Sequence, residues 1–213
     1  MGGMIKAVLF DVDGVLIDSF EANLKFYQDL FVKNGYKSLT RETFLTISHM
    51  TMIDVIKIVT KSKDESEINR IWKMGKDGVI PYSDNLLVSP QNYDLVIERL
   101  KEKYMLGIVT NRVQGHVFLT KQIAKYENYF KTVICYEDTK KHKPHPNPLL
   151  LAAKRLGITP QEAVYVGDTA SDVEAAKGAH MKVILYSKDN LSDADAATSI
   201  FGNIPKLIKL INK

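Results

Sequence analysis

The sequence predicts an α/β fold, in which a doubly wound parallel sheet forms a Rossmann-like core and a helical bundle is inserted after the first strand. An apolar run at residues 4–10 ends at a glycine turn, which is typical of a buried strand. Residues 17–85 show helical spacing and no strand pattern, whereas helices and strands alternate from residue 86 onward. This alternation favours a parallel sheet covered by helices on both faces.

The composition fits a globular protein of one large domain with a modest insertion. The chain has 213 residues, of which 45% are hydrophobic and 25% charged, as in ordinary globular proteins. Apolar stretches are too short for a membrane helix, and the N-terminus lacks the apolar region of a signal peptide, so we expect a cytoplasmic location and no membrane partner. The single cysteine, Cys135, has apolar neighbours that indicate a buried thiol.

The net charge of +4 comes mostly from lysines scattered along the chain. Residues 140–143, Lys-Lys-His-Lys, are the one basic cluster. Proteins that bind nucleic acids usually carry a focused basic patch with interleaved aromatic residues, so we expect no nucleic-acid partner. A mild positive charge does favour small anionic substrates.

Helical periodicity sets the predicted domain boundaries. The insertion contains predicted helices at residues 18–34, from residue 40, at 52–61 and at 65–74, with Thr40 as an N-cap. We therefore expect a core domain of residues 1–17 and 86–213 and a helical domain of residues 18–85. In the second part of the core, the predicted strands are 105–109, 132–136, 163–166 and 182–185, and the predicted helices are 92–103, 113–126, 147–156, 169–177 and 204–211.

Four polar groups each lie beyond a predicted strand. They are Asp11 with Asp13, Thr110 with Asn111, Lys143, and Asp168 with Asp172. Because the carboxyl ends of parallel strands meet at one edge of a sheet, we expect the four groups to converge. At strand spacing Asp11 and Asp13 share a face, where two like charges repel unless a cation neutralises them; the alternative is an ordinary Asp-Gly surface turn.

The residue types in these groups predict phosphoryl transfer. Asp11, Asp13 and Asp168 offer hard oxygen ligands, which suit Mg²⁺ rather than zinc. The other groups supply hydrogen-bond donors and a positive charge for phosphoryl oxygens. One carboxylate is then able to attack phosphorus, and a second to protonate the leaving oxygen and later activate water.

In these motifs the sequence resembles the haloacid dehalogenase-like hydrolases, in their phosphatase branch, over essentially the whole chain. The segment Asp-Val-Asp-Gly-Val-Leu at residues 11–16 resembles the first family motif. The resemblance implies that Asp11 is the nucleophile and a metal ligand. It implies that Asp13 is the acid and base, and that it ligates the metal through its backbone carbonyl. Thr110 and Asn111 resemble the second motif, which binds phosphate.

The later motifs complete the implied site. Lys143, in Lys-Pro-His-Pro, resembles the lysine of the third motif. The segment at residues 167–172, Gly-Asp-Thr-Ala-Ser-Asp, resembles the fourth. There the resemblance implies that Asp168 ligates Mg²⁺ and that Asp172 supports the site without binding the metal.

The resemblance also implies that the helical insertion is the helical-bundle cap of the family. This cap is typical of phosphoglycolate phosphatases, β-phosphoglucomutases and related enzymes of small metabolites. In the cap His49 is a candidate substrate-selecting residue, and in the core Arg112 is a candidate for contact with a substrate carboxylate. For both residues the alternative is a surface role. Many relatives have a glycine-containing turn where this chain has residues 48–51, Ser-His-Met-Thr.

The predicted function is therefore that of a Mg²⁺-dependent phosphatase, which hydrolyses a small, phosphoglycolate-like phosphorylated metabolite through an aspartyl-phosphate. One alternative is a phosphomutase of the β-phosphoglucomutase type, which returns the phosphoryl group to a sugar. Another is a non-catalytic, phosphate-binding regulatory protein on the same fold. We expect a monomer or a homodimer.

Overall fold

A computed structural model describes residues 4–118, 120–188 and 193–212 of the chain. The chain divides into two units. One unit comprises Met1–Asp18 and Ser89–Lys213, and the other comprises Ser19–Val88. Residues 1–3 and 213, which belong to the predicted core domain, lie outside the described residues. Within the described part, no helix has both the length and the apolar character needed to cross a membrane.

The unit Ser19–Val88 is helical, as predicted for the insertion. Its helices are α1 (Phe20–Lys33), α2 (Arg41–Ile47), α3 (Met52–Thr60) and α4 (Glu65–Lys76). The side chains of Thr40, Thr51 and Asp64 cap the last three helices by accepting a bond from a backbone N–H of the first turn. The helices pack their apolar faces together around a core of their own, which includes Leu30, Phe31, Phe44, Ile56 and Ile71.

The other unit is built on a parallel sheet, which has six strands within the described residues. They are β1 (Ala7–Phe10), β2 (Met105–Val109), β3 (Phe130–Ile134), β4 (Ala163–Gly167), β5 (Lys182–Tyr186) and β6 (Ala196–Thr198). Their order across the sheet is β3-β2-β1-β4-β5-β6, and each neighbouring pair is parallel. The residues of β1 and β4 are buried without alternation, as expected for central strands that are covered on both faces.

Helices cover both faces of this sheet. They are α5 (Tyr93–Lys101), α6 (Lys121–Ala124), α7 (Asn147–Leu156), α8 (Ala170–Gly178) and α9 (Ile204–Ile211). On one face α7 and α8 pack against the sheet through small residues such as Ala152 and Ala176. On the other face α5 and α9 contact each other and the sheet, and Phe201 packs against Phe10 and Tyr93. The predicted doubly wound α/β fold is confirmed.

One predicted helix is wrong. In place of a helix at residues 113–126 the structure has a short 3₁₀ turn at Gln114–His116 and the four-residue α6, and residue 119 lies outside the described residues. One side chain competes there with a helical hydrogen bond. Arg112 donates to the His116 carbonyl, which in the predicted helix would accept from the Thr120 N–H. The edge strand β6 was not predicted, because three residues are too few for a period to be visible.

Candidate active site

The candidate site lies at the carboxyl edge of the sheet, where the strand order reverses. The chain runs outward from β1 through β2 to β3 and then returns to place β4 on the other side of β1. Asp11 follows β1 directly, and its N–H donates to the Val166 carbonyl of β4 at 2.9 Å. Asp168 follows β4. Open α/β sheets bind ligands at such a reversal, outside the carboxyl ends of the strands.

Three carboxylates meet at this edge. Asp11, Asp168 and Asp172 each place one oxygen within 4.8 Å of the others. Asp172 is brought there by the first turn of α8, where it forms a capping box with Thr169. Two of the predicted groups, those after β1 and after β4, therefore converge as expected.

Two glycines make this close approach possible. Gly14 has a φ of +73°, and a Cβ at this position would collide with the carboxylate of Asp168. A Cβ at Gly167 would collide with the side chain of Asp172. The glycines of the first and last motifs are thus needed for the packing of the acidic cluster itself.

Lys143 is the cation of the cluster. Its Nζ lies 2.8 Å from Asp11 Oδ2, 2.7 Å from Asp172 Oδ1 and 2.7 Å from the Tyr165 hydroxyl, and its side chain is 3% exposed. An ammonium has three N–H donors, so these three oxygens satisfy it. Burial opposes the charged form, but the two carboxylates outweigh burial and hold the pKa of Lys143 above its ordinary value.

Tyr165 was missed at the sequence level. It belongs to β4, is fully buried, and accepts from Lys143; its hydroxyl lies 3.0 Å from the Val109 carbonyl and 3.1 Å from Asp172 Oδ1. The signal was a tyrosine in a strand of small aliphatic residues, because a buried phenol needs a hydrogen-bond partner. Tyr165 fixes the position of the lysine from the interior of the sheet.

The oxygens of Asp172 are already occupied. Oδ1 accepts from Lys143, and Oδ2 accepts from the N–H groups of Asp168 and Thr169 at 3.1 Å each and from the Thr169 hydroxyl at 2.7 Å. Burial raises the pKa of Asp172, but Lys143 and these bonds prevail, so that its pKa lies below the ordinary value. Asp172 is therefore suited to hold Lys143 and the loop after β4 in place rather than to bind a metal.

Asp11 and Asp168 remain as the candidate metal-binding carboxylates. Burial raises the pKa of Asp11 to about 6, although Lys143 opposes this shift. Burial, followed by the charges of Asp172 and Asp11, raises the pKa of Asp168 well above its ordinary value. Three carboxylates beside one ammonium carry excess negative charge, which a divalent cation neutralises. The donors are oxygens throughout, and this set fits Mg²⁺.

Thr110 and Asn111, the two residues after β2, make different contacts. The Thr110 hydroxyl accepts from the Arg112 N–H at 3.2 Å, and a hydroxyl that accepts in this way still has its own proton to donate. The Asn111 side chain donates to the Lys143 carbonyl across a long 3.5 Å, so it supports the lysine loop. The Thr110 hydroxyl thus keeps a proton for a further acceptor, whereas the Asn111 side chain is directed to the lysine loop.

Asp13 and Arg112 form a bidentate ion pair. Arg112 Nε lies 2.7 Å from Asp13 Oδ2, and Nη2 lies 2.6 Å from Oδ1. The Arg112 side chain is 10% exposed and that of Asp13 33% exposed. An exposed surface position for Arg112 is therefore wrong. The two aspartates bind different side chains, Asp11 that of Lys143 and Asp13 that of Arg112. The reason is that β1 ends at Phe10 and the chain turns between the two aspartates.

His49, the other candidate substrate-selecting residue, lies in the helical unit. It is exposed in the turn after α2. Its role stays a prediction.

Comparisons with known proteins agree with this geometry. A family model described as haloacid dehalogenase-like hydrolase matches residues 8–186. The pyrophosphatase PpaX of Bacillus cereus strain AH820 is 32% identical over 187 residues, which are 86% of this chain and 83% of that protein.

Solved structures give the same picture. A protein from Geobacter sulfurreducens, described as a hydrolase of the same superfamily, subfamily IA, is 29% identical with a TM-score of 0.71, covering 97% of this chain and 98% of that one. A protein assigned as a phosphoglycolate phosphatase from Lactobacillus plantarum is 22% identical with a TM-score of 0.83, covering 96% of this chain and 100% of that one, and shows the same fold. The chain therefore belongs to the haloacid dehalogenase-like hydrolases, and both the predicted resemblance and the predicted hydrolase class are confirmed.

Proposed function

We propose that this hydrolase is a Mg²⁺-dependent phosphatase that acts on a small phosphorylated metabolite through an aspartyl-phosphate on Asp11. The observation that carries the proposal is the buried contact of Lys143 with Asp11 at 2.8 Å, beside the Asp168 carboxylate. A nucleophilic carboxylate, a buried cation and spare oxygen ligands together provide what phosphoryl transfer needs.

Asp11 and Asp168 would hold the Mg²⁺, with the Asp13 backbone carbonyl as a further ligand implied by the family motif. When bound, the metal supplies positive charge that stabilises the negative charge of the phosphoryl oxygens. Lys143 contributes a second positive charge from the protein itself. Together they reduce the repulsion between the anionic Asp11 and an anionic substrate.

In the first step a carboxylate oxygen of Asp11 attacks phosphorus. The bond from phosphorus to the oxygen of the leaving group breaks, and Asp13 gives its proton to that oxygen. The Thr110 hydroxyl donates a hydrogen bond to a phosphoryl oxygen during this step. The products are the aspartyl-phosphate of Asp11 and a free alcohol or acid.

In the second step Asp13, now a carboxylate, takes a proton from water. The oxygen of this water attacks phosphorus, and the bond between phosphorus and Asp11 breaks. Inorganic phosphate leaves, Asp11 is again a carboxylate, and Asp13 is again protonated. Lys143 and Asp172 hold Asp11 in the same position through both steps.

The names of the relatives reduce the number of candidate substrates. PpaX is named as a pyrophosphatase, and the Lactobacillus plantarum protein is assigned to phosphoglycolate. In both compounds the phosphoryl group is joined to a small leaving group that carries another negative charge. We therefore propose a substrate of this size, with phosphoglycolate and pyrophosphate as the leading candidates.

We also propose that the helical unit, Ser19–Val88, is the cap that the family resemblance implies. The proposal is supported by the position of this unit in the chain, directly after the Asp11 motif, and by its helical structure. A cap of this kind excludes water and carries residues that select the substrate, for which His49 is the candidate.

The proposal is tested by measuring the release of inorganic phosphate at neutral pH with and without Mg²⁺. The panel contains 2-phosphoglycolate, pyrophosphate, hexose phosphates, nucleoside monophosphates and an aryl phosphate. We expect Mg²⁺-dependent release that is fastest with one of the first two compounds. Absence of release from every compound by folded protein in Mg²⁺ would contradict the proposal, and a requirement for a sugar bisphosphate would identify a mutase.

A further inference from the structure

The Arg112 side chain is held more firmly than its partner Asp13. Its Nη1 donates to the His116 carbonyl at 3.2 Å, in addition to the two bonds to Asp13, and only a tenth of the side chain is exposed. Asp13 is exposed to three times that extent. An anion that arrives from solvent therefore meets the carboxylate end of the pair first, while the guanidinium stays in place.

The pair is also placed beside the phosphate-binding residues. The backbone N–H of Arg112 donates to the Thr110 hydroxyl, the proposed phosphate donor, so the two residues are fixed relative to each other. Asp13 is the proposed acid that protonates the leaving group. Arg112 therefore lies where the leaving group, and not the transferred phosphoryl group, would be bound.

From these contacts we propose that Arg112 selects substrates whose leaving group carries a negative charge, by exchanging the carboxylate of Asp13 for that charge. Without such a substrate the guanidinium binds Asp13 through two parallel bonds and holds its carboxylate away from the acidic cluster. An anionic leaving group takes over these two bonds, because a planar guanidinium binds carboxylate and phosphate oxygens with the same geometry. The exchange releases the Asp13 carboxylate, which takes up a proton from solvent and then protonates the bridging oxygen. Arg112 is thus a specificity-determining residue and a positioning residue for Asp13.

This inference rests on the proposed phosphatase function and makes a separate prediction. Two esters with the same phosphorylated primary alcohol are compared: 2-phosphoglycolate, which carries a carboxylate, and 2-hydroxyethyl phosphate, in which a neutral alcohol replaces it. Pyrophosphate is the third substrate and carries its second charge on a phosphate. Steady-state kcat and KM are measured for each substrate with saturating Mg²⁺. Of the two charged substrates, the one with the higher kcat/KM shows whether the preferred leaving group carries its charge on a carboxylate or on a phosphate.

We expect wild-type protein to prefer a charged substrate over the neutral ester. Arg112→Ala should reduce this preference in kcat/KM by roughly 10- to 100-fold, which is the size of a lost charge-assisted hydrogen-bonded pair. Because Asp13 is no longer held away, kcat for the neutral ester should rise. Arg112→Lys, which keeps the charge without the planar fork, should give an intermediate preference and serves if the alanine variant does not fold.

Arg155→Ala is the matched control. Arg155 also binds an aspartate, Asp138, at 2.6 Å and a backbone carbonyl, that of Val133, at 3.1 Å, but it lies on α7 outside the site. Its substitution should leave the preference at the wild-type value. An equal fall of kcat/KM for all three substrates in the Arg112 variants would overturn the inference, because it would indicate a structural role or a productive orientation of Asp13. If wild-type protein releases no phosphate at all, the proposed function fails instead.

Discussion

Lys143 Nζ lies 2.8 Å from Asp11 Oδ2 in a position where the lysine side chain is almost fully buried. The contact joins the loop after β3 to the end of the central strand β1, so that one cation fixes the proposed nucleophile. The same ammonium also binds Asp172 and Tyr165. Substitutions of the residues around this buried ammonium should therefore change stability and activity, each in its own direction and by its own amount.

Replacing Lys143 should damage stability and activity together. Lys143→Met keeps much of the apolar stem but leaves Asp11 and Asp172 buried without their cation. We expect the free energy of unfolding to fall by about 3–5 kcal/mol and phosphate release to fall by roughly 10³-fold. Urea unfolding and steady-state kinetics measure the two effects. Lys141→Met is the control, because Lys141 is exposed and its loss should change stability by less than about 0.5 kcal/mol. A folded Lys143→Met protein with wild-type turnover would refute the role of this lysine.

Removing the hydroxyl of Tyr165 should be costly, although the ring stays. Tyr165→Phe takes away an acceptor of the buried ammonium, and we expect a loss of about 1–3 kcal/mol in the free energy of unfolding. Tyr93→Phe is the matched control, because the Tyr93 hydroxyl is buried without a hydrogen-bond partner among the described residues. That substitution should be neutral or stabilising. Equal losses in the two variants, measured by urea unfolding, would mean that the Tyr165 hydroxyl has no special role.

Two aspartates of the same cluster should respond in opposite ways. The folded-state pKa of Asp168 is raised, so ionisation of this group at pH 7 costs stability, and Asp168→Asn should stabilise the metal-free protein. The folded-state pKa of Asp172 is lowered, so its ionised form contributes stability above its unfolded pKa, and Asp172→Asn should cost about 3 kcal/mol or more.

Thermal unfolding with and without Mg²⁺ measures both effects. Wild-type protein should gain in Tm when Mg²⁺ is added, and Asp168→Asn should remove this gain, because it loses a ligand. Destabilisation of the metal-free protein by Asp168→Asn would show that the cluster does not carry excess negative charge.

Cys135 should be unreactive in the folded protein. Its side chain is buried, and burial, followed by the charges of Asp138 and Glu137, raises the pKa of its thiol to about 12. At pH 8 the thiolate is therefore scarce, and the sulfur is shielded from reagents. We expect iodoacetamide to leave native protein unmodified and to add once to protein unfolded in urea, as mass spectrometry would show. Rapid modification of the native protein would mean that this strand end is open to solvent.

Much of the core was predictable, because its determinants are local in sequence. The continuous apolar runs of β1, β2 and β4 and the glycine turns after β1 and β4 indicate buried parallel strands before any contact is known. The convergence of Asp11, Lys143 and Asp168 was predictable because each follows a strand of one parallel sheet, and the carboxyl ends of such strands meet at one edge. The predicted core and cap boundaries and the roles of these site residues remain predictions.

The rest depended on contacts between residues distant in sequence. The bidentate pair of Arg112 with Asp13 joins residues 99 positions apart, and nothing in either segment indicates it. The same arginine captures the His116 carbonyl and interrupts the helix that the apolar spacing of residues 113–126 predicts. Tyr165 was hidden for a related reason, since its hydroxyl acquires a role only when Lys143 reaches it from another loop.

The most direct test of the central claim is the rate of phosphate release by Asp11→Asn in Mg²⁺, measured on freshly prepared protein whose unfolding transition is intact. Uncatalysed hydrolysis of phosphate monoesters is among the slowest known reactions, with enzymatic accelerations of up to about 10²¹, so loss of the nucleophile should remove nearly all turnover. We predict release at the background rate for the substrate that wild-type protein hydrolyses fastest. Turnover by folded Asp11→Asn at a rate comparable with wild type would contradict an aspartyl-phosphate on Asp11.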